Sequence, residues 1–273
     1  MNKFYIQIVL FILSIFVYAN NEAIATEPAL GEDTKPKLRS PYATPEEIYE
    51  KNKHLSCHCP NNTHVLEVMD EAMQQLEYHA TSKDGYKLCI ENSGDGISYY
   101  KKKYDDNTDI LKINLNIYAS HQYDGIVNRI WDPKSPNFFN KGHVKILHEY
   151  NPNLVLIRQF CEQDSKYYHK YFYALVKKAQ VRKPFLFCFI SKDKAIIAMT
   201  SVDIFDANPS SKEPKNPIVK KADSFCGFVN PEDYILCKEY KKIYVNLAGY
   251  LIEKKGDDLE ITYIESINGY STI

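Results

Sequence analysis

Cysteine and histidine can serve as metal ligands and as a nucleophile with its base. The sequence has 7 cysteines and 8 histidines, and their tightest grouping is Cys57-His58-Cys59. Zinc sites separate paired cysteines by about two to four residues, so this triplet is too tight for zinc. A Cys–His nucleophile pair is not excluded by the residue types, but co-occurrence in such numbers does not predict one.

The motifs that mark most active sites do not occur in the sequence. It contains no G-x-S-x-G, no H-E-x-x-H, no phosphate-binding glycine loop and no G-x-G-x-x-G. Its formal charge is −1, with 34 basic and 35 acidic residues, so no overall field favours nucleic acid. We therefore expect a protein that is not an enzyme, with no catalytic residues, no metal, no cofactor and no nucleic-acid partner.

The N-terminus has the pattern of a secretory signal peptide over residues 1–25. Phe4 to Tyr18 is almost wholly apolar, and Ala23-Ile-Ala25 fits a cleavage site. The apolar core is shorter than the ~20 residues that a membrane span needs.

In a secreted chain the odd number of cysteines leaves at least one unpaired. A disulfide from Cys57 or Cys59 to Cys89 is one option, and buried cysteines that serve as small apolar side chains are another.

The remaining chain has the composition of a folded domain, with 44% hydrophobic residues. Residues 26–43 are polar and predict a disordered leader, and a single domain is expected over residues 44–273. Thr44 and Pro45 predict the start of a helix that runs to about Leu55. A stripe of valine, methionine and leucine predicts a second helix from Thr63 to about Ala80.

The only tryptophan lies on a short, predicted amphipathic helix between the upstream and downstream strands. Ile126, Val127, Ile130 and Trp131 recur at helical spacing. Pro133 ends this helix at about Asp132, because proline lacks a donor and disfavours a helical residue before it.

Strands are predicted on both sides of this helix. Leu111, Ile113, Leu115 and Ile117 alternate with polar residues, which is typical of an antiparallel sheet with one buried face. About six further strands follow the helix, at Val144–Tyr150, Asn153–Cys161, Lys170–Val181, Ala195–Phe205, Lys241–Glu253 and Glu260–Ile267. A long polar loop is predicted at residues 208–221. We therefore predict an α+β fold in which a long, curved antiparallel sheet grips helices.

Aromatic residues exceed what one sheet face needs, since the chain has 22 tyrosines. Tyr171, Phe172 and Tyr173 lie on one predicted strand, so aromatics line both of its faces. Either a well-filled core or a cavity for an apolar ligand would bury them.

Several segments resemble the START lipid-transfer domain of the helix-grip class, and the secreted fam-a family of rodent malaria parasites in particular. The segments that carry this resemblance are Thr44–Leu55, Leu76–Asp84, Ile130–Pro133, Tyr150–Val155, Val245–Ile252 and Ile261–Ser266. The resemblance implies one START-like domain with an internal tunnel for a single lipid. It also implies phosphatidylcholine transfer, transient contact with membranes and no catalysis.

The resemblance also suggests which residues bind lipid. Asp132, directly after Trp131, fits the position that faces the lipid headgroup, and Tyr171 corresponds best to an aromatic that boxes choline. Where the resemblance implies a phosphate-binding arginine, this chain has Asn128. Arg129 is one position further along, and one position on a helix rotates the side chain by ~100°. Another expected aromatic falls on Asn246. The predicted lipid-binding residues are therefore Asp132, Tyr171, Trp131, Arg129 and Asn246.

Two departures from the family pattern bear on these expectations. Arg182–Ile190 looks like an insertion between two strands, and the sequence stops soon after the last predicted strand, where START domains continue into a helix that closes the tunnel. The alternative hypothesis is a START-like protein that has lost transfer and docks to a host protein or membrane, with an esterase-type enzyme as a third. The signal peptide predicts secretion, and a monomer is expected. Only the resemblance suggests the parasitophorous vacuole or host erythrocyte.

Overall fold

The computed structural model describes residues 42–55, 62–92, 96–133, 135, 143–161, 169–181, 193–206, 215–235 and 240–268. The predicted signal peptide, most of the predicted leader, the Cys57-His58-Cys59 triplet and the predicted insertion lie outside these residues. The helices are α1 (Pro45–Lys51), α2 (Asn62–Thr81) and α3 (Tyr123–Trp131). The strands are β1 (Lys87–Asn92), β2 (Ile97–Lys103), β3 (Asp109–Ile117), β4 (Val144–Asn151), β5 (Leu154–Cys161), β6 (His169–Val181), β7 (Lys194–Thr200), β8 (Asp203–Phe205), β9 (Cys226–Phe228), β10 (Tyr240–Lys242), β11 (Tyr244–Lys255) and β12 (Asp258–Asn268).

Helix α1 begins where the sequence predicts it. The Thr44 hydroxyl accepts a hydrogen bond from the Glu47 backbone at 3.3 Å, and the Glu47 carboxylate accepts one from the Thr44 backbone at 3.0 Å. Pro45 occupies the first turn. This reciprocal cap satisfies two backbone donors that the helix itself cannot pair. The helix ends at Lys51, and a 3-10 turn at Lys53–Leu55 completes the predicted segment.

The main sheet has the strand order β1-β2-β3-β12-β11-β7-β6-β5-β4, and each neighbouring pair is antiparallel. This confirms the predicted α+β class and the large antiparallel sheet. The single strand predicted over Ala195–Phe205 divides into β7 and β8, and the one over Lys241–Glu253 divides into β10 and β11. Strand β10 pairs in parallel with β6, and β8 pairs in parallel with β9; neither pairing was expected.

Helices lie on both faces of the sheet. Helix α2 packs closely on β6, β7, β11 and β12, whereas α3 approaches no strand as closely. We call these the α2 face and the α3 face. Side chains alternate between them, so Tyr171 and Tyr173 belong to the core of the α2 face and Phe172 to that of the α3 face. The prediction that aromatics of β6 line both faces is confirmed.

Two residues directly before Thr44 pack on the α3 face of the sheet. Ala43 packs against the core of the α3 face, and the Tyr42 ring lies 5.7 Å from the Arg129 guanidinium carbon. Both residues belong to the leader that the sequence predicts. Tyr42 contacts the helix that carries the tryptophan, and Ala43 contacts the core on the same face.

Candidate functional site

An apolar cavity lies between the α3 face of the sheet and helices α1 and α3. The helices contribute Ile48, Ile130 and Trp131 to its walls, Pro133 follows α3, and strands β4, β5, β6, β7 and β11 supply the others. Most of the strand residues are valine, isoleucine or methionine. Gln159 and Tyr250 are the polar members, and no charged side chain is among the described residues of the lining. Such a surface favours an apolar ligand.

The cavity exists because of how α3 is held. Trp131 and Ile130 reach the sheet with their side chains while the helix backbone stays further away than that of α2. The free volume of the cavity is about 70 Å³, well below the ~300–1,000 Å³ of pockets that take drug-sized ligands. A larger ligand therefore requires α1 or α3 to move away from the strands.

Gln159 is a buried polar residue in an otherwise mostly apolar wall. Its side chain is 1% exposed, and neither Oε1 nor Nε2 has a hydrogen-bond partner among the described residues. Val144 on β4 and Phe172 on β6 are its neighbours across the strands. A buried amide without partners costs about 1–3 kcal/mol, so this position is unfavourable unless another molecule supplies the partner.

Polar residues begin directly beyond Gln159 on the same face. Cys161 lies opposite Lys170 in the β5–β6 register. Burial raises the pKa of the Cys161 thiol to about 11, although the positive charge of Lys170 lowers it. Burial also lowers the pKa of Lys170, and the nearby charge of Lys241 adds to this. The α3 face thus changes from apolar to polar within one strand.

A buried carboxyl group belongs to the same face. Glu265 is 6% exposed and accepts a short hydrogen bond from the Tyr263 hydroxyl. Burial raises the pKa of Glu265 to about 7, and the bond from Tyr263 opposes that shift. Burial also raises the pKa of Tyr250 well above its ordinary value, the charge of Glu265 adds to this, and the charge of Arg129 opposes it. Arg129 and Glu265 therefore both act electrostatically on a residue of the cavity wall.

A second depression lies elsewhere, beside Asn246. Its free volume is larger, about 150 Å³, but its lining includes Asp203, Lys215 and Asp223. Charged walls disfavour hydrocarbon because the charges would lose water. The cavity on the α3 face is therefore the better candidate for an apolar ligand.

Comparison with known proteins identifies the fold. No protein-family model matches the chain, and no curated protein sequence matches it. The crystal structure of human STARD10 superposes with a TM-score of 0.50 at 11% identity, covering 75% of this chain and 69% of that one. The structure of human StAR-related lipid transfer protein 5 has a TM-score of 0.49 at 11% identity, covering 78% of this chain and 86% of that one. The fold is START-like.

This confirms the predicted helix-grip fold, while membership of the fam-a family stays a prediction. At such low identity the likeness concerns the fold alone. Within the described part of the START-like domain, no helix is both long and apolar enough to cross a membrane. The described residues also contain no group of three or more potential metal ligands.

The START-like domain brings three of the five predicted lipid-binding residues to the cavity or next to it. Trp131 forms part of the wall. Arg129 is 7% exposed, and its charge acts on Tyr250 of the wall. Asp132 ends α3, where its backbone donates to the Asn128 carbonyl at 2.9 Å. It is half-buried and is not among the lining residues, although both of its neighbours are.

The other two predicted residues lie away from this cavity. The Tyr171 side chain belongs to the core of the α2 face. The Asn246 side chain donates to the Ser266 hydroxyl at 3.2 Å and lines the second depression. Strand β11 has an irregular register between Val245 and Leu247, and this irregularity turns Asn246 away from the cavity.

Sequence reasoning missed Gln159 and Glu265. Each interrupts an alternating row of apolar residues: Gln159 follows Val155 and Ile157, and Glu265 follows Ile261 and Tyr263. A single polar residue in the buried row of a strand is the sequence pattern that could have identified them.

Proposed function

We propose that this START-like domain binds one lipid molecule in the α3-face cavity and carries it without catalysis. The observation that carries the proposal is the cavity wall, which is apolar apart from Gln159 and Tyr250 and has no charged side chain among its described residues. The START resemblance of the sequence, which implies lipid transfer, supports the same function. The change to polar residues at Cys161 and Lys170 gives such a ligand a preferred orientation.

In finer detail, we propose that the ligand is a phospholipid such as phosphatidylcholine, that the chain is secreted as a monomer, and that it touches membranes only transiently. We propose Arg129 and Asp132 as the residues that contact its headgroup. Delivery to the parasitophorous vacuole or host erythrocyte is proposed on the sequence resemblance alone.

A second candidate function is an interaction module that has lost transfer. The free volume of about 70 Å³ favours it, because a lipid does not fit into that space without movement of the helices. The two functions differ in one measurable property, which is lipid bound to the purified protein.

The test is the lipid content of the protein purified from a lipid-containing host. We expect about one lipid per chain by mass spectrometry of the extract. Val144→Phe fills the cavity and should remove most of that lipid. Ile90→Phe places the same ring on β1, at the other edge of the sheet, where Ile90 is 43% exposed, and should retain it. A folded wild-type protein without lipid, or equal lipid in both variants, would contradict the proposal.

A further inference from the structure

The side chain of Gln159 indicates what kind of group the ligand presents inside the cavity. An amide both donates and accepts hydrogen bonds and carries no charge. Gln159 is buried in the wall with both polar atoms unpaired among the described residues. Buried polar groups in folded proteins almost always have a partner, so a ligand atom is the natural candidate for this one.

The register of β5 and β6 places Gln159 at a boundary along the cavity. Residues that face the same side of a strand are about 6.6–6.8 Å apart. In the row that holds Gln159, Val155 lies opposite Val176, Ile157 opposite Ala174, Gln159 opposite Phe172, and Cys161 opposite Lys170. Two apolar pairs therefore precede Gln159, and a cation follows it by one step.

Resting on the proposed lipid-binding function, we propose that the Gln159 amide hydrogen-bonds an uncharged oxygen of the bound lipid. The hydrocarbon then lies toward Val155, and the oxygen-bearing end points toward Lys170. An uncharged oxygen fits better than a charged group, because the described lining offers no opposite charge and a buried charge without one is costly. Both an ester carbonyl of a diacyl lipid and the hydroxyl of a sterol have this chemistry.

The test compares wild type with Gln159→Leu, which keeps the size of the side chain and removes its hydrogen bonds. Each full-length protein is incubated with vesicles of diester phosphatidylcholine, of diether phosphatidylcholine, or of diether phosphatidylcholine containing cholesterol. The vesicles are removed and the lipid carried by the protein is quantified. Gln180→Leu, the same change on β6 where Gln180 donates to Asp124 at 3.1 Å, is the matched control and should behave as wild type.

If the partner is an ester carbonyl, wild type carries about five- to tenfold more diester lipid than Gln159→Leu, and the two carry equal diether lipid. If the partner is a hydroxyl, the difference appears only with cholesterol. Equal loading of wild type and Gln159→Leu in every arm overturns the inference while leaving lipid binding intact. Absence of lipid from both proteins overturns the proposed function and this inference together. Gln159→Met, also apolar and of similar length, replaces the leucine variant if that variant does not fold.

Discussion

The Tyr171 hydroxyl donates a 2.9 Å hydrogen bond to the Asp206 carboxylate within the core of the α2 face. Both side chains are almost fully buried. The ammonium group of Lys242 lies 4.0 Å from Asp206 and donates to the Ile204 carbonyl at 2.9 Å. Tyr171 therefore takes part in a buried polar network on the side of the sheet away from Trp131.

Tyr171→Phe should leave lipid binding unchanged and lower stability. The substitution keeps the ring and removes a buried hydrogen bond to a charged group, at a cost of about 1.5–3 kcal/mol. Urea denaturation and mass spectrometry of the extracted lipid measure the two quantities. Loss of lipid at unchanged stability would place Tyr171 in the lipid site, as the sequence resemblance implied.

Gly249 fixes the pairing of β11 with β7 beside the cavity. Its φ is +151°, and a Cβ atom there would lie 2.0 Å from the Ile197 carbonyl oxygen. Gly249→Ala should therefore destabilise the fold by about 3 kcal/mol or more, since the strand backbones must separate.

Gly256→Ala is the control for that substitution. Gly256 also has a positive φ, +66°, but no atom lies within 4 Å of its Cβ position. Only the backbone strain of about 1–2 kcal/mol is expected there. Equal losses of unfolding free energy in the two variants would show that the close approach to Ile197 does not add to the destabilisation.

Glu265 should make the stability of the domain depend on pH. Because burial raises its pKa from 4.5 to about 7, the folded chain holds a proton in this interval that the unfolded chain has lost. The resulting stabilisation is complete below pH 4.5 and is lost as the pH rises to 7. Glu265→Gln should remove this dependence and be the more stable protein at pH 8, by up to about 3 kcal/mol.

The measurement is the difference in unfolding free energy between wild type and Glu265→Gln from pH 4.5 to 8. The difference separates the effect of Glu265 from that of His79. The pKa of His79 is lowered to about 4, mainly by burial, so His79 makes stability rise with pH whereas Glu265 makes it fall. A difference that does not change with pH would contradict the buried position of the carboxyl group.

The sequence predicted the elements better than it predicted the site. The alternation in β3 and the helical spacing around Trp131 are patterns that repeat over a few consecutive residues, so both elements were recognisable. The sheet faces on which Tyr171 and Asn246 lie were not recognisable from the sequence. The face that a strand residue occupies depends on register, and one irregular position moves the following side chains to the opposite face. The short strand β9 was missed, and β8 and β10 were not separated from β7 and β11, because three residues are too few to show a period.

The quenching of Trp131 by a lipid with bromine atoms on its acyl chain tests the central claim most directly. Trp131 is the only tryptophan of the chain and part of the cavity wall, at 7% exposure, so its fluorescence reports on one place. Lipid in the cavity predicts strong quenching by vesicles of brominated phosphatidylcholine, none by unbrominated vesicles, and weak quenching by iodide in water. Unchanged Trp131 fluorescence with a brominated lipid that the protein demonstrably carries would contradict binding in this cavity.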